Sequence, residues 1–156
     1  KFGFISGPSN RADALFRKNG FLNHIHENDN LDLVWSFEGD FSSSSGKAAF
    51  ADFKNTGLND IAIFGSNDYT CFGFMKAAIE SGYKIPDDFI IGGYDNLSFC
   101  ETFSPELTSI ITDFHELGKK SIRTIENMVE ENMDSVGQIS MIPVGIRIRN
   151  STVPKN

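Results

Sequence analysis

The chain has 156 residues, a net charge of -7 from 14 Lys+Arg against 21 Asp+Glu, 40% hydrophobic residues and 15 phenylalanines. A chain of this length buries roughly 70% of its unfolded surface, enough for one packed domain. Its acidity is the opposite of the basic footprint that neutralising nucleic-acid phosphates requires, so these residues are not expected to bind DNA themselves. With no apolar run near the ~18 to 20 residues of a membrane span and no basic-then-apolar leader, no membrane partner is expected either.

The chain opens directly on an apolar stretch, Lys1-Phe2-Gly3-Phe4-Ile5, without an initiator methionine, as an excised piece of something longer would. Apolar runs bounded by turn residues recur at Phe2 to Ser6, Leu33 to Glu38, Asp60 to Gly65 and Phe89 to Tyr94 and read as buried strands. Helical patterns lie between them at Ala12 to Asn28, Ser43 to Asn55 and Tyr69 to Ser81. The last places Phe72, Met75 and Ile79 at i, i+3 and i+7 and has a helix-ending glycine in Gly82. Strand and helix alternating at this spacing imply right-handed βαβ units and an α/β doubly wound parallel sheet.

After Tyr94 the rhythm breaks: a loop from Asp95 to Glu106 leads to a short apolar run, Leu107 to Ile111. Asp113-Phe114-His115-Glu116 then has the form of a capping box and starts a long helix to about Asn132. Phe114, Gly118, Ile122, Ile125 and Val129 fall near one stripe of it, opposite Lys119, Lys120, Arg123, Glu126 and Glu130. A polar turn, Asp134 to Gln138, precedes Ile139 to Ile148, whose later alternation and Pro143 suit an edge strand.

In an open parallel sheet, ligands bind beyond the carboxyl ends of the strands. The turns there are Ser6-Gly7-Pro8-Ser9-Asn10, Gly39-Asp40-Phe41, Ser66-Asn67-Asp68 and Tyr94-Asp95-Asn96. Asp40 and Asp68 read first as helix N-caps, each stabilising its helix by about 1 kcal/mol. Asp95 has no helix directly after it, and a carboxylate there can accept hydrogen bonds from neighbouring hydroxyls of a polyol, with stabilisation of its own turn as the alternative. Catalytic and metal constellations are thin. His24, His26 and His115 lack zinc spacing, and no serine sits in a nucleophile elbow. No glycine arrangement makes a phosphate loop, and Asp87-Asp88 precedes its strand, at the wrong end of the sheet for a phospho-acceptor. No catalytic residue, metal or cofactor is expected. Cys71 and Cys100, 29 residues apart, read as buried reduced thiols of a reducing compartment.

Several segments in order resemble one family. They are Phe4-Ile5-Ser6-Gly7-Pro8 with Arg17-Lys18-Asn19-Gly20-Phe21, Gly39-Asp40-Phe41-Ser42 with Ser45-Gly46, and Ser66-Asn67-Asp68 with Gly73. Ile85-Pro86-Asp87-Asp88, Gly93-Tyr94-Asp95-Asn96, Pro105-Glu106-Leu107-Thr108-Ser109-Ile110, Leu117-Gly118 and Arg149-Asn150-Ser151-Thr152 follow. Together they are similar to the bacterial repressors of the lactose/galactose-repressor type, whose effector domain resembles periplasmic sugar-binding proteins. The departures are Thr70-Cys71 where the family commonly has Met-Ala, and Ser109 in place of a second threonine.

The resemblance implies two α/β lobes with the ligand between them, of which this chain is mainly the C-terminal one. Residues 1-106 and 139-153 would belong to that lobe, and 107-132 would return to the N-terminal lobe. The rest of the N-terminal lobe and the DNA-binding helix-turn-helix would be absent. It implies that Arg17, Asn67 and Asp95 bond a small-molecule effector, a sugar or related metabolite, that Phe41 packs against it, and that Phe114 lines the cleft. Without ligand, Arg17 and Asp95 are expected to be able to pair with each other, and a structural salt bridge is the alternative to their ligand role. Phe72, Phe99 and Phe103 would contribute to a homodimer face. The implied function is effector sensing in a cytoplasmic transcriptional regulator that meets operator DNA only through the absent N-terminal domain. An extracellular sugar receptor of the same architecture and a small doubly wound enzyme are the alternatives.

Overall fold

The structure is a computed structural model that describes residues 1–130 and 140–153. Six strands form one sheet in the order β2-β1-β3-β4-β5-β6. They are β1 (Phe2–Ser6), β2 (Leu33–Glu38), β3 (Ala62–Gly65), β4 (Ile90–Asp95), β5 (Thr108–Ile111) and β6 (Gly145–Arg147). The first five run parallel and β6 closes the edge antiparallel to β5. The helices are α1 (Ala12–His26), α2 (Ser43–Thr56), α3 (Asp68–Glu80) and α4 (Phe114–Glu130), with a single 3-10 turn at Ser98–Glu101. The doubly wound parallel sheet expected from the alternation of apolar runs is present, and the break after β4 is the 3-10 turn and loop that replace a crossover helix. The polar turn expected at Asp134 to Gln138 lies outside the described residues.

Side chains alternate across the sheet as the strand period requires. Ile5 and Ile63 point into a buried cluster with Trp35, Phe50, Phe53, Phe74, Met75, Phe89 and Ile91 under α2 and α3. On the other face Phe4 stacks on Phe21 of α1 at 4.6 Å, and Phe64 stacks on the same ring at 5.8 Å. Helices α2 and α3 approach so closely that Gly46 and Gly73 have no room for a Cβ. One added at Gly73 would fall on the Ser43 carbonyl, 2.7 Å from its carbon. One added at Gly46 would fall on the Thr70 carbonyl, 2.9 Å from its carbon. This contact sets where the N-termini of both helices stand, at the carboxyl ends of the strands.

Four local expectations are corrected. Ser42, not Asp40, caps α2, its hydroxyl accepting from Ser45 N at 3.0 Å, while Asp40 accepts from Ser42 N at 2.9 Å in the turn before it. Asn67, not Asp68, caps α3 by accepting from Thr70 N at 3.1 Å. The core face of α3 is Cys71, Phe74, Met75 and Ala78, whereas Phe72 is half-buried and Ile79 is 39% exposed. The helix is buried on more than one side, so a single i, i+3, i+7 stripe misplaced its inward face. Asp113 does cap α4, accepting from Glu116 N at 2.9 Å, but Glu116 bonds Lys119 instead of reaching back. No residue of α4 is buried: its stripe of Phe114, Leu117, Ile122, Ile125 and Val129 is bare.

Candidate ligand site at the strand ends

Arg17, in the second turn of α1, is the centre of the site. Its Nη1 donates to the Ser66 carbonyl at 2.5 Å and its Nη2 to Asp95 Oδ1 at 3.2 Å, so one side chain joins the ends of β3 and β4. Its guanidinium carbon lies 4.0 Å from the Tyr94 ring centroid and 5.8 Å from that of Phe41. Arg17 and Asp95 side chains are 20% and 19% exposed, desolvated enough to matter and open enough to be reached. The pairing expected in the absence of ligand is present.

Asp95 is held in an unusual backbone conformation, φ 109, and Asn96 follows at φ 55. Burial pushes the Asp95 carboxyl above the ordinary aspartate range; the Arg17 charge opposes this and the Asp68 carboxylate adds to it. Phe41 also has positive φ, 69, and its ring covers Gly7, where a Cβ would lie 2.7 Å from one ring carbon. Only glycine admits that ring. Asn67 Nδ2 donates to the Phe41 carbonyl at 2.9 Å while its Oδ1 caps α3, leaving its second N–H for another acceptor.

Arg17, Phe41, Asn67 and Asp95 are therefore brought to one place. Phe114 stands apart from their contacts: it opens α4 and is 56% exposed. Two residues were missed. Tyr94 supplies the flat face under Arg17, and its place beside Asp95 at the end of β4 could have marked it. Asp68, read as a cap, is fully buried with its carboxylate accepting from Ser109 Oγ at 2.6 Å and Leu97 N at 2.8 Å. Burial raises its pKa, with those hydrogen bonds acting the other way. Phe72, Phe99 and Phe103 form an aromatic patch with Tyr69, at centroid distances of 5.5 Å (72–99), 4.9 Å (72–103) and 5.1 Å (69–99).

The donors and acceptors at the strand ends suit a small polar molecule: a carboxylate to accept from hydroxyls, a guanidinium and an amide N–H to donate, and aromatic rings to cover a ring face. A hollow of about 670 Å³ lies on the sheet face beside α1, between apolar residues such as Phe2, Phe21, Phe64 and Ile110, and Arg17 and Tyr94 line it too. Among the described residues no three His, Cys, Asp or Glu side chains come together that could hold a metal. No described helix is long and apolar enough to cross a membrane.

Residues 1–152 match the model of the periplasmic binding protein-like domain. The chain is 32% identical over 126 residues to the HTH-type transcriptional repressor PurR of Mannheimia succiniciproducens, covering 80% of this chain and 38% of that protein. It is 30% identical over 153 residues to the NTD biosynthesis operon regulator NtdR of Bacillus subtilis, covering 97% and 46%. It therefore spans less than half the length of these curated relatives. Among solved structures, the Lac repressor dimer bound to operator and the anti-inducer ONPF is similar with a TM-score of 0.88 and 26% identity, over 97% of this chain and 52% of that one. A LacI family regulator from Enterococcus faecalis with bound ribose gives 0.82 and 29%, over 100% and 55%. The relatives' names are those of transcriptional regulators: a repressor, an operon regulator and an operator-bound repressor. The chain belongs to the periplasmic binding protein-like domain family, and within it is a homologue of the effector domain of LacI-type transcriptional regulators.

Proposed function

We propose that this chain senses a sugar or related small metabolite for a cytoplasmic transcriptional regulator, binding it at Arg17, Asn67 and Asp95 with Phe41 against its ring. The observation that carries this reading is the Arg17–Asp95 pair, desolvated on Tyr94 at the carboxyl end of the sheet. The ribose held by the Enterococcus faecalis regulator supports a sugar as the ligand class. A sugar hydroxyl that donates to Asp95 takes over the acceptor that Arg17 uses, which leaves the guanidinium to a ligand oxygen.

In this reading residues 1-106 and 139-153 belong to the C-terminal lobe, and the passage into the N-terminal lobe, expected from 107 to 132, begins later than expected, after β5, because Thr108–Ile111 pair with β4 inside this sheet. The bare stripe of α4 supports this, because an amphipathic helix with no buried residue has its packing partner elsewhere. Phe114 then enters the cleft from the side that the second lobe closes. The patch of Tyr69, Phe72, Phe99 and Phe103 serves as a homodimer face, in keeping with the dimeric Lac repressor. Operator DNA is met through a helix-turn-helix in the length that the relatives have beyond this chain, and ligand acts by shifting the lobes.

A thermal-shift screen of the protein expressed from its complete gene tests this, with ribose, lactose, ribose 5-phosphate and adenine as probes. A ligand that binds only the folded state raises the melting temperature by mass action. A rise with one probe that Asp95→Asn abolishes is expected. A rise that survives the substitution, or none with any probe, overturns the assignment.

A further inference from the structure

Two consecutive non-glycine residues with positive φ, Asp95 and Asn96, form a strained turn that persists only if its surroundings over-determine it. Three bonds do so. Asn96 N donates to Ser109 Oγ at 3.0 Å, and Ser109 Oγ donates onward to Asp68 Oδ1 at 2.6 Å. Leu97 N donates to Asp68 Oδ2 at 2.8 Å. Asn96 Oδ1 accepts from Arg149 Nη2 at 2.8 Å.

The same groups grip the segment that follows. Cys100 Sγ donates to Asp68 Oδ2 at 3.2 Å, and Arg149 Nη2 also reaches Glu101 Oε1 at 2.9 Å. Arg149 Nη1 anchors on the Leu107 carbonyl at 2.7 Å, and its side chain is 4% exposed. Cys100 and Glu101 belong to the 3-10 turn that carries Phe99, whose ring packs on Tyr69 and Phe72. Asp68 and Tyr69 are neighbours at the first turn of α3. One hydrogen-bonded cluster, buried at Asp68, Cys100, Ser109 and Arg149 and open to solvent at Glu101, thus holds both the turn that aims the Asp95 carboxylate and the turn that presents the aromatic patch.

We propose that Asp68, Ser109 and Arg149 are positioning residues that set Asp95 for its ligand and rigidly couple it to the aromatic patch of Tyr69, Phe72, Phe99 and Phe103. Its consequence for regulation rests on Asp95 being a ligand contact, but the coupling itself is a property of the ligand-free chain. The buried members, Asp68, Ser109, Cys100 and Arg149, move as a unit, because leaving one of them unpaired costs its full desolvation. Loss of the Arg17 partner at Asp95 is then felt at Cys100, Glu101 and Phe103.

The test is a cycle in the isotope-labelled full chain, read by backbone amide and aromatic-ring NMR shifts. Asp95→Asn is made in the wild-type, Ser109→Ala and Ser109→Thr backgrounds. In the wild type, Asp95→Asn is expected to shift Cys100, Phe103 and the Phe99 ring. In Ser109→Ala those shifts fall about threefold or more, and in Ser109→Thr, which restores the hydroxyl, they return. If Ser109→Ala does not fold, Arg149→Lys, which keeps the charge and loses the fork, takes its place with the same expectation. Equal shifts with and without the hydroxyl, or none beyond Leu97 in the wild type, overturn the coupling. No ligand enters the cycle, so failure of every probe to bind in the screen above would overturn the ligand assignment and leave this result readable.

Discussion

Replacing Gly73 by alanine tests the placement of the site through its scaffold. The new Cβ would lie 2.7 Å from the Ser43 carbonyl carbon, whereas ordinary contact begins near 3.4 Å. The obstacle is the backbone of α2, which cannot rotate away as a side chain would, and its carbonyl oxygen stands nearer still than the carbon, so the helices must part by more than about 0.7 Å. A gap of 0.5 to 1 Å forfeits roughly a quarter to a half of each dispersion contact across it. Overpacking of this kind costs about 1 to 3 kcal/mol, and a helical Gly→Ala replacement returns up to about 1 kcal/mol. Because both surfaces are main chain, a net loss of about 2 kcal/mol is expected, a fall in melting temperature of roughly 4 to 8 °C for a domain this size. Urea unfolding followed by Trp35 fluorescence reads it, since this sole tryptophan packs 5.2 Å from Phe53 and 6.0 Å from Phe74 beneath the helix pair. Gly20→Ala is the control: it lies in α1 with nothing within 4 Å of a built Cβ, so it should stabilise by about 0.5 to 1 kcal/mol. A Gly73→Ala loss below about 0.5 kcal/mol would refute the close helix contact.

Cys71 and Cys100 are fully buried, and burial beside Asp68 pushes the Cys100 thiol up to about 12. At pH 8 on the order of one Cys100 in 10,000 is thiolate, so neither cysteine should react with a disulfide reagent until urea unfolds the chain; rapid native labelling would contradict the burial. The raised pKa of Asp68 means that the folded state keeps a proton the unfolded state has lost. That contribution to stability is present below the ordinary value of 3.8 and lost as pH rises through the folded value. Asp68→Asn should therefore gain stability relative to wild type as pH rises through this window, and a difference independent of pH in paired urea titrations would contradict the sign. With one wall of the cleft, the 156-residue chain by itself should bind ribose at millimolar affinity or weaker, roughly 4 kcal/mol or less, and a micromolar calorimetric titration would contradict it.

The parallel sheet was legible because each strand is a short apolar run ended by turn residues, and the repeat of strand and helix admits few topologies. Arg17, Phe41, Asn67 and Asp95 were legible through family resemblance joined to the rule that ligands meet the carboxyl ends of strands. What stayed hidden was set by tertiary contacts. Asp68 has the local pattern of a helix cap, and only the return of β5 beside β4 brings Ser109 to it. Likewise, Arg149 directly follows the half-exposed edge strand expected to end at Ile148, yet it turns inward to bond residues 42 and 53 positions earlier. The inward face of α3 was misjudged because a helix buried on several sides carries no single stripe.

Asp95 carries the strand-end site most directly. Calorimetric titration of the protein from its complete gene, with whichever probe raises its melting temperature, should be run beside Asp95→Asn, which keeps the shape and removes the charge. A charge-assisted hydrogen bond is worth about 1.5 to 3 kcal/mol, so the account predicts an affinity loss of roughly 10- to 150-fold. Affinity within about twofold of wild type, in a variant with an unchanged unfolding midpoint, would contradict the strand-end site.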